Sequence, residues 1–158
     1  MNIKIIAVCT LLLLAIATNF LHLSSSADGG LQEQTPIILT FDDLLNAIEF
    51  VESGGNNQAI GDNGKAIGAF QIWKIYVDDC NRIIGNNKYS YSDRLSPSKS
   101  REMVKVYVRH YATEKRLKRP PTFEDMAAMH CAGPNGYLQK DEPAVKKYLE
   151  KIEKELAK

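Results

Sequence analysis

The chain has 158 residues, of which 44% are hydrophobic and 25% charged, with 20 Lys or Arg against 19 Asp or Glu. That length suits one compact domain after removal of a leader. The near-neutral balance excludes a nucleic-acid binder that works through a strongly basic surface.

Lys4, the apolar stretch from Ile5 to about Leu23, and Ser24-Ser25-Ser26-Ala27 read as a signal peptide cut after Ala27, since Ser25 and Ala27 meet the small-residue cleavage rule. An uncleaved anchor ranks second, because Thr18, Asn19 and His22 interrupt the run. The product is then secreted, extracellular or periplasmic, with no membrane segment left after cleavage. Cys9 leaves with the leader, and Cys80 and Cys131 remain as an even pair expected to form one disulfide in an oxidising compartment.

Residues 28–39 lack periodicity and read as a lead-in to a domain spanning 40–158. From Thr40 to Glu52, Phe41, Leu44, Leu45 and Ile48 recur at spacings of three and four, and Thr40 with Asp43 reads as a capping-box start. Residues 54–65 are rich in turn chemistry, and Asn63-Gly64 is a hairpin signal. The apolar run 66–73 fits either strand or helix. A second helix carries Tyr76, Val77, Cys80, Ile83 and Ile84 on one face and stops at Gly85. Ser96-Pro97 opens a third, with Met103, Val106, Tyr107 and Tyr111 as its expected buried stripe. Residues 99–119 hold eight Lys or Arg, which read as a solvated face or, less directly, as a contact for an anionic wall polymer. Thr122 caps a fourth helix that ends at Gly133-Pro134-Asn135-Gly136, and Pro143 opens a fifth carrying Val145, Tyr148, Leu149, Ile152 and Leu156. The sum is a mainly α fold of the α+β kind, with about five helices and one small β-hairpin insert.

Glu52 falls on the apolar stripe of the first helix, whereas Glu49 lies at the edge of its polar side. Burial and the negative end of the helix dipole both favour a neutral carboxylic acid at that position, which is what general-acid catalysis needs. Glycoside hydrolysis also requires a second carboxylate in most cases. Asp62 is the nearest candidate, although an Asp before Asn-Gly is also ordinary turn chemistry. His130 and Cys131 are helix neighbours whose side chains diverge, so a thiol–imidazole pair is not expected. His110 reads as a packed or surface residue. No spacing resembles a metal site, and no cofactor is expected. Trp73 and Tyr76 are candidates for stacking on sugar faces, with a core role as the alternative.

Glu52-Ser53-Gly54-Gly55-Asn56 followed by Gly64-Lys65-Ala66-Ile67-Gly68-Ala69-Phe70-Gln71-Ile72 resembles the catalytic signature of the lysozyme-like superfamily. Asp62-Asn63-Gly64, residues 76–80, and His130 through Gly133-Pro134-Asn135-Gly136 are more similar to its invertebrate-type (destabilase) branch and compact bacterial lytic-transglycosylase-like relatives. The resemblance covers about residues 41–149. It implies a lysozyme-like fold, Glu52 as general acid, Asp62 as second carboxylate, and Gln71, His130 and residues Gly133, Pro134, Asn135 and Gly136 lining a glycan groove. The chain departs from that pattern where Cys131 and Ala132 replace an Asn and a Gly, and in lacking most of the branch's cysteines. The implied activity is a muramidase cutting the β-1,4 bond between N-acetylmuramic acid and N-acetylglucosamine in peptidoglycan, acting as a monomer. The alternatives are a lytic transglycosylase giving anhydro products and a non-catalytic glycan-binding module.

Overall fold

The computed structural model describes residues 38–158. The expected leader with Cys9, and all but the last two residues of the expected lead-in, lie outside the described residues. Among the described residues no helix is long and apolar enough to cross a membrane.

Helix α1 (Phe41–Ser53) begins at a reciprocal cap: the Asp43 N–H donates to the Thr40 hydroxyl at 3.2 Å, and the Thr40 N–H donates to Asp43 Oδ2 at 2.8 Å. Two donors that a helix start leaves orphaned are thereby satisfied. Leu44, Leu45 and Ile48 are fully buried on its inner face, each contributing about 1.5–3 kcal/mol. Gly54 ends the helix at φ 67, a left-handed conformation open to a residue without Cβ. Its N–H returns to the Phe50 carbonyl at 2.7 Å.

The expected hairpin follows. Strands β1 (Ile60–Gly61) and β2 (Ala66–Ile67) pair antiparallel, Ile60 with Ile67 and Gly61 with Ala66. The ambiguous run 66–73 resolves as β2 plus a bridge between Ile67 and Ile72, and it buries Ala69, Phe70 and Ile72. Arg94, itself buried, ties this hairpin to the turn Tyr91–Leu95. Its Nε donates to the Tyr91 carbonyl at 2.7 Å, and its Nη1 donates to the Lys65 and Ile72 carbonyls at 3.2 and 3.1 Å.

Helix α2 (Lys74–Ile84) stops at Gly85, and α3 (Pro97–Tyr111) starts with its proline in the first turn, as expected. The buried residues of α3 are Ser100, Met103, Val104, Tyr107 and Val108, whereas Val106 and Tyr111 are only partly covered. The expected stripe is shifted because α2 and α5 both pack on α3, so the covered face is wider than one helical seam. A four-residue helix α4 (Glu114–Leu117), capped by Thr113, has no counterpart in the sequence reading. Helix α5 (Phe123–Ala132) starts at a Thr122–Asp125 capping box, and α6 (Pro143–Leu156) packs on α1 and α5. The described residues thus hold six helices where about five were expected, α4 being the addition.

The basic run of residues 99–119 is mostly spent on internal contacts. Lys99 pairs with Asp93 at 2.8 Å, Arg101 and Lys105 with Asp42 at 3.2 and 2.9 Å, and Arg119 with Asp125. Arg109 lies over the Phe41 ring, and Arg116 turns inward. A charge run that looks like a polymer-binding face is in large part packing between elements.

Candidate functional site

Glu52 occupies the last turn of α1, and Ser53 beside it anchors that turn. The Ser53 hydroxyl donates to the Ala69 carbonyl at 2.8 Å and accepts from the Asn56 N–H at 3.0 Å. The end of the acid-bearing helix is therefore pinned to the segment after the hairpin. Glu52 opens into a groove of about 1000 Å³, lined on its other sides by Asp62, Trp73, Tyr107, His130 and Gly133 among others. Its side chain is 19% exposed, so it reaches the groove from a largely covered position. Glu49, one turn back, faces away and pairs with Arg101 at 3.5 Å.

His130 comes from α5 and approaches Glu52 from below: Nε2 is 3.5 Å from Glu52 Oε1. The imidazole lines the groove but is only 4% exposed, and it sits against the acid itself. On its other side, Nδ1 lies 3.3 Å from the Tyr76 hydroxyl. Tyr76 is also buried and stacks on Tyr107, with ring centroids 3.8 Å apart and planes 19° from parallel. That packing covers one face of the Tyr76 ring, which also lines the groove. Burial first, then the Cys80 thiol and Tyr107, push the Tyr76 phenol well above its ordinary value, and it stays protonated. Nδ1 is the only hydrogen-bond partner of this hydroxyl among the described residues. A buried hydroxyl proton needs an acceptor, which assigns the lone pair to Nδ1 and leaves the proton of the neutral ring on Nε2, the nitrogen nearer Glu52.

Three further carboxylates line the groove: Asp62, Asp78 and Asp79. Asp79 accepts from the Tyr111 hydroxyl at 2.5 Å and from Arg82 Nε at 2.8 Å, and Asp78 accepts from the Tyr91 hydroxyl at 2.9 Å. Both are occupied in holding α2 to its neighbours. Asp62 is exposed in the hairpin turn, and no side-chain hydrogen bond holds it among the described residues. It adopts φ 49, next to Asn63 at φ 54, a left-handed pair that Asp and Asn tolerate better than other residues with a Cβ. Of the groove carboxylates other than Glu52, Asp62 alone keeps its oxygens uncommitted.

Gln71 lines the groove, but its amide nitrogen donates to the Gly68 carbonyl at 2.8 Å and more weakly to Ala59 at 3.4 Å. The side chain braces the hairpin at a strained φ of 47. Trp73 is 40% exposed on the groove wall, with Lys65 Nζ over its ring at 5.2 Å from the centroid.

Residues 133–136 divide in role. Gly133 and Pro134 line the groove, whereas Asn135 and Gly136 lie outside the lining. Asn135 Oδ1 accepts from Arg116 Nη2 at 2.8 Å, and the Pro134 carbonyl accepts from Arg116 Nη1 at 2.6 Å. The same guanidinium lies over the Tyr111 and Tyr137 rings. Gly136 packs so tightly on α5 that a Cβ would stand 2.0 Å from the Ala128 carbonyl oxygen. Arg116 is the clamp of this loop, and nothing in its local sequence marked it among the neighbouring basic residues.

The expected Cys80–Cys131 disulfide is not formed. Cys80 is buried, and its thiol donates to the Met103 carbonyl at 3.4 Å, while Cys131 is exposed at the groove. One thiol points into the core against α3 and the other away from it, so no bridge joins them. Burial pushes Cys80 up to about 12. Partial covering of its thiol against the groove wall, and then the Glu52 charge, push the otherwise exposed Cys131 up to about 11.

Among the described residues no cluster of His, Cys, Asp or Glu could hold a metal ion. A search of curated proteins finds no significant match. Residues 42–155 match the family described as Destabilase, a span that takes in every helix from α1 onward together with the groove. The chain belongs to the destabilase family, the invertebrate-type lysozymes, whose fold is lysozyme-like.

Proposed function

We propose that this protein is a peptidoglycan-cleaving glycosidase that hydrolyses the β-1,4 bond between N-acetylmuramic acid and N-acetylglucosamine. Membership of the family implies lysozyme-like glycosidase activity. The observation that carries the finer reading is Glu52, largely covered and backed by His130, in one groove with the uncommitted carboxylate of Asp62. Glu52 gives its proton to the glycosidic oxygen as the C–O bond breaks, and positive charge develops at the anomeric carbon. Asp62 faces that charge as stabiliser, nucleophile or water-activating base. Trp73 offers an apolar face for a sugar ring. The signal peptide expected at residues 1–27 supports a site of action outside the cell.

The test is digestion of purified peptidoglycan by the domain, with mass spectrometry of the products, beside Glu52→Gln and Asp62→Asn. Reducing-end muropeptides from the parent, absent with Glu52→Gln, are the expected result. Anhydromuropeptides would instead assign a lytic transglycosylase, in which Glu52 acts alone as acid and then base. Binding without product release would leave a glycan-binding module.

A further inference from the structure

Besides His130, Glu52 shares its groove with a second buried donor, the Tyr148 hydroxyl of α6. Its hydroxyl is shielded from solvent, has no hydrogen-bond partner among the described residues, and belongs to a side chain lining the groove with Glu52 and Cys131. A buried hydroxyl without a partner costs about 1–3 kcal/mol of desolvation, and such a group in a native fold calls for an explanation, of which a catalytic role is one. We propose that Tyr148 is a positioning residue for Glu52: its hydroxyl donates to the Glu52 carboxylate once the acid has given up its proton, and so steadies the ionised form that the reaction creates.

The assignment rests on the reading of Glu52 as the general acid. Burial first, then the charges of Glu52 and Cys131 and the nearness of the hydroxyl to the Glu52 carboxylate, push the Tyr148 phenol well above its ordinary value, so it remains a donor throughout the working range. The hydroxyl is too buried to touch glycan, which separates its effect from substrate binding. The other groups facing Glu52 are His130 and Cys131 of α5 and, across the groove, Asp62 of the hairpin turn, with Tyr76 of α2 behind His130. Of these only His130 also brings a ring nitrogen near the carboxylate, at 3.5 Å. The two donors come from different helices.

Tyr148→Phe keeps the ring and removes the hydroxyl. The expected result is a roughly tenfold fall in kcat with KM unchanged, and movement of the basic limb of the rate profile to higher pH. The sign follows because loss of a donor to the ionised form lets Glu52 keep its proton longer. In a Glu52→Gln background the same change has no further effect on residual rate. A Tyr148→Phe protein that is as active as the parent, with an unmoved basic limb, overturns the proposal and leaves an idle buried hydroxyl. If the parent cleaves no peptidoglycan, the glycosidase reading fails separately. Carbon-13 NMR of glutamate-labelled protein then decides the positioning claim, which stands if the Glu52 carboxyl titrates at higher pH in Tyr148→Phe and falls if its titration is unchanged.

Discussion

His130 Nε2 stands 3.5 Å from Glu52 Oε1 while its Nδ1 faces the Tyr76 hydroxyl at 3.3 Å, so one imidazole joins a buried phenol to the groove acid. If Tyr76 sets the tautomer, Tyr76→Phe should lower kcat by about three- to tenfold, in line with loss of one neutral hydrogen bond. Its stack on Tyr107 survives, and KM should stay within a factor of two. His130→Ala should cost more in both rate and thermal stability, because it also orphans the Tyr76 hydroxyl. Steady-state kinetics on a soluble glycan substrate, with melting curves, separate the two effects.

Asp62 and Asp79 line the same groove but differ in commitment. Asp62→Asn is expected to lose at least a hundredfold in rate with little change in melting temperature, a loss of about 3 kcal/mol of transition-state stabilisation. Asp79→Asn should do the reverse, since it breaks the bonds to Tyr111 and Arg82. Equal rates for Asp62→Asn and the parent would remove Asp62 from the reaction.

Asp125 governs acid stability. Its side chain is 0% exposed and accepts from Arg119 Nη2 at 2.8 Å and from the Thr122 N–H at 2.9 Å, with Lys140 at 3.0 Å. Burial alone would raise this carboxyl, but Arg119, the Thr122 N–H and Lys140 outweigh it and hold the group well below its ordinary 3.8. A depressed folded value stabilises the protein above the unfolded value and is lost as pH falls below it. Unfolding free energy should therefore drop as pH is lowered from about 4. In Asp125→Ala, destabilised by about 2 kcal/mol at neutral pH through loss of cap and ion pair, that drop should be shallower. Denaturant melts at pH 7, 4 and 3 check it.

Arg116 holds the loop at the edge of the groove through the Pro134 carbonyl and Asn135. Arg116→Met should destabilise by about 1.5–3 kcal/mol, the range for hydrogen bonds from a charged donor, and raise KM because Gly133 and Pro134 lose their seat. Arg116→Lys should not restore it, since an ammonium cannot reproduce two bonds from a planar fork.

With both thiols free, reducing agent should leave the melting temperature unchanged. Cys131, pushed up to about 11, should alkylate only slowly in the native protein at neutral pH, and Cys80 only after unfolding. Mass spectrometry after timed alkylation reads both; a protein that resists alkylation until reduced would restore the disulfide.

Local chemistry made much of this molecule legible in its sequence. Thr40 with Asp43, Gly85, Pro97 and Thr122 each act within one helical turn of where they stand, so the helix limits followed from them. The phase that separates Glu52 from Glu49 is equally local, because three residues along a helix turn a side chain to another face. The stripe of α3 differs at Val106 and Tyr111 because burial depends on which neighbours a helix has, and α3 packs against α2, α5 and the turn Tyr91–Leu95. Arg94 and Arg116 could not be picked out from other basic residues, since their partners are backbone carbonyls that any sequence possesses.

The sequence by itself determined that an acid ends an apolar helix stripe, that a tight turn carrying Asp62 follows it, and that the rest of the chain is mainly helical. Only the tertiary structure decided what surrounds that acid. His130 arrives on α5 and Tyr148 on α6, both far along the chain, and their side chains reach Glu52 because α1, α5 and α6 pack together. The packing of α2 on α3 buried Tyr76 behind His130 and carried Cys80 into the core, while Cys131 of α5 stayed at the groove. Periodicity reports which face of a helix is covered, but the identity of the residue covering it is set by helix packing, which no local pattern encodes.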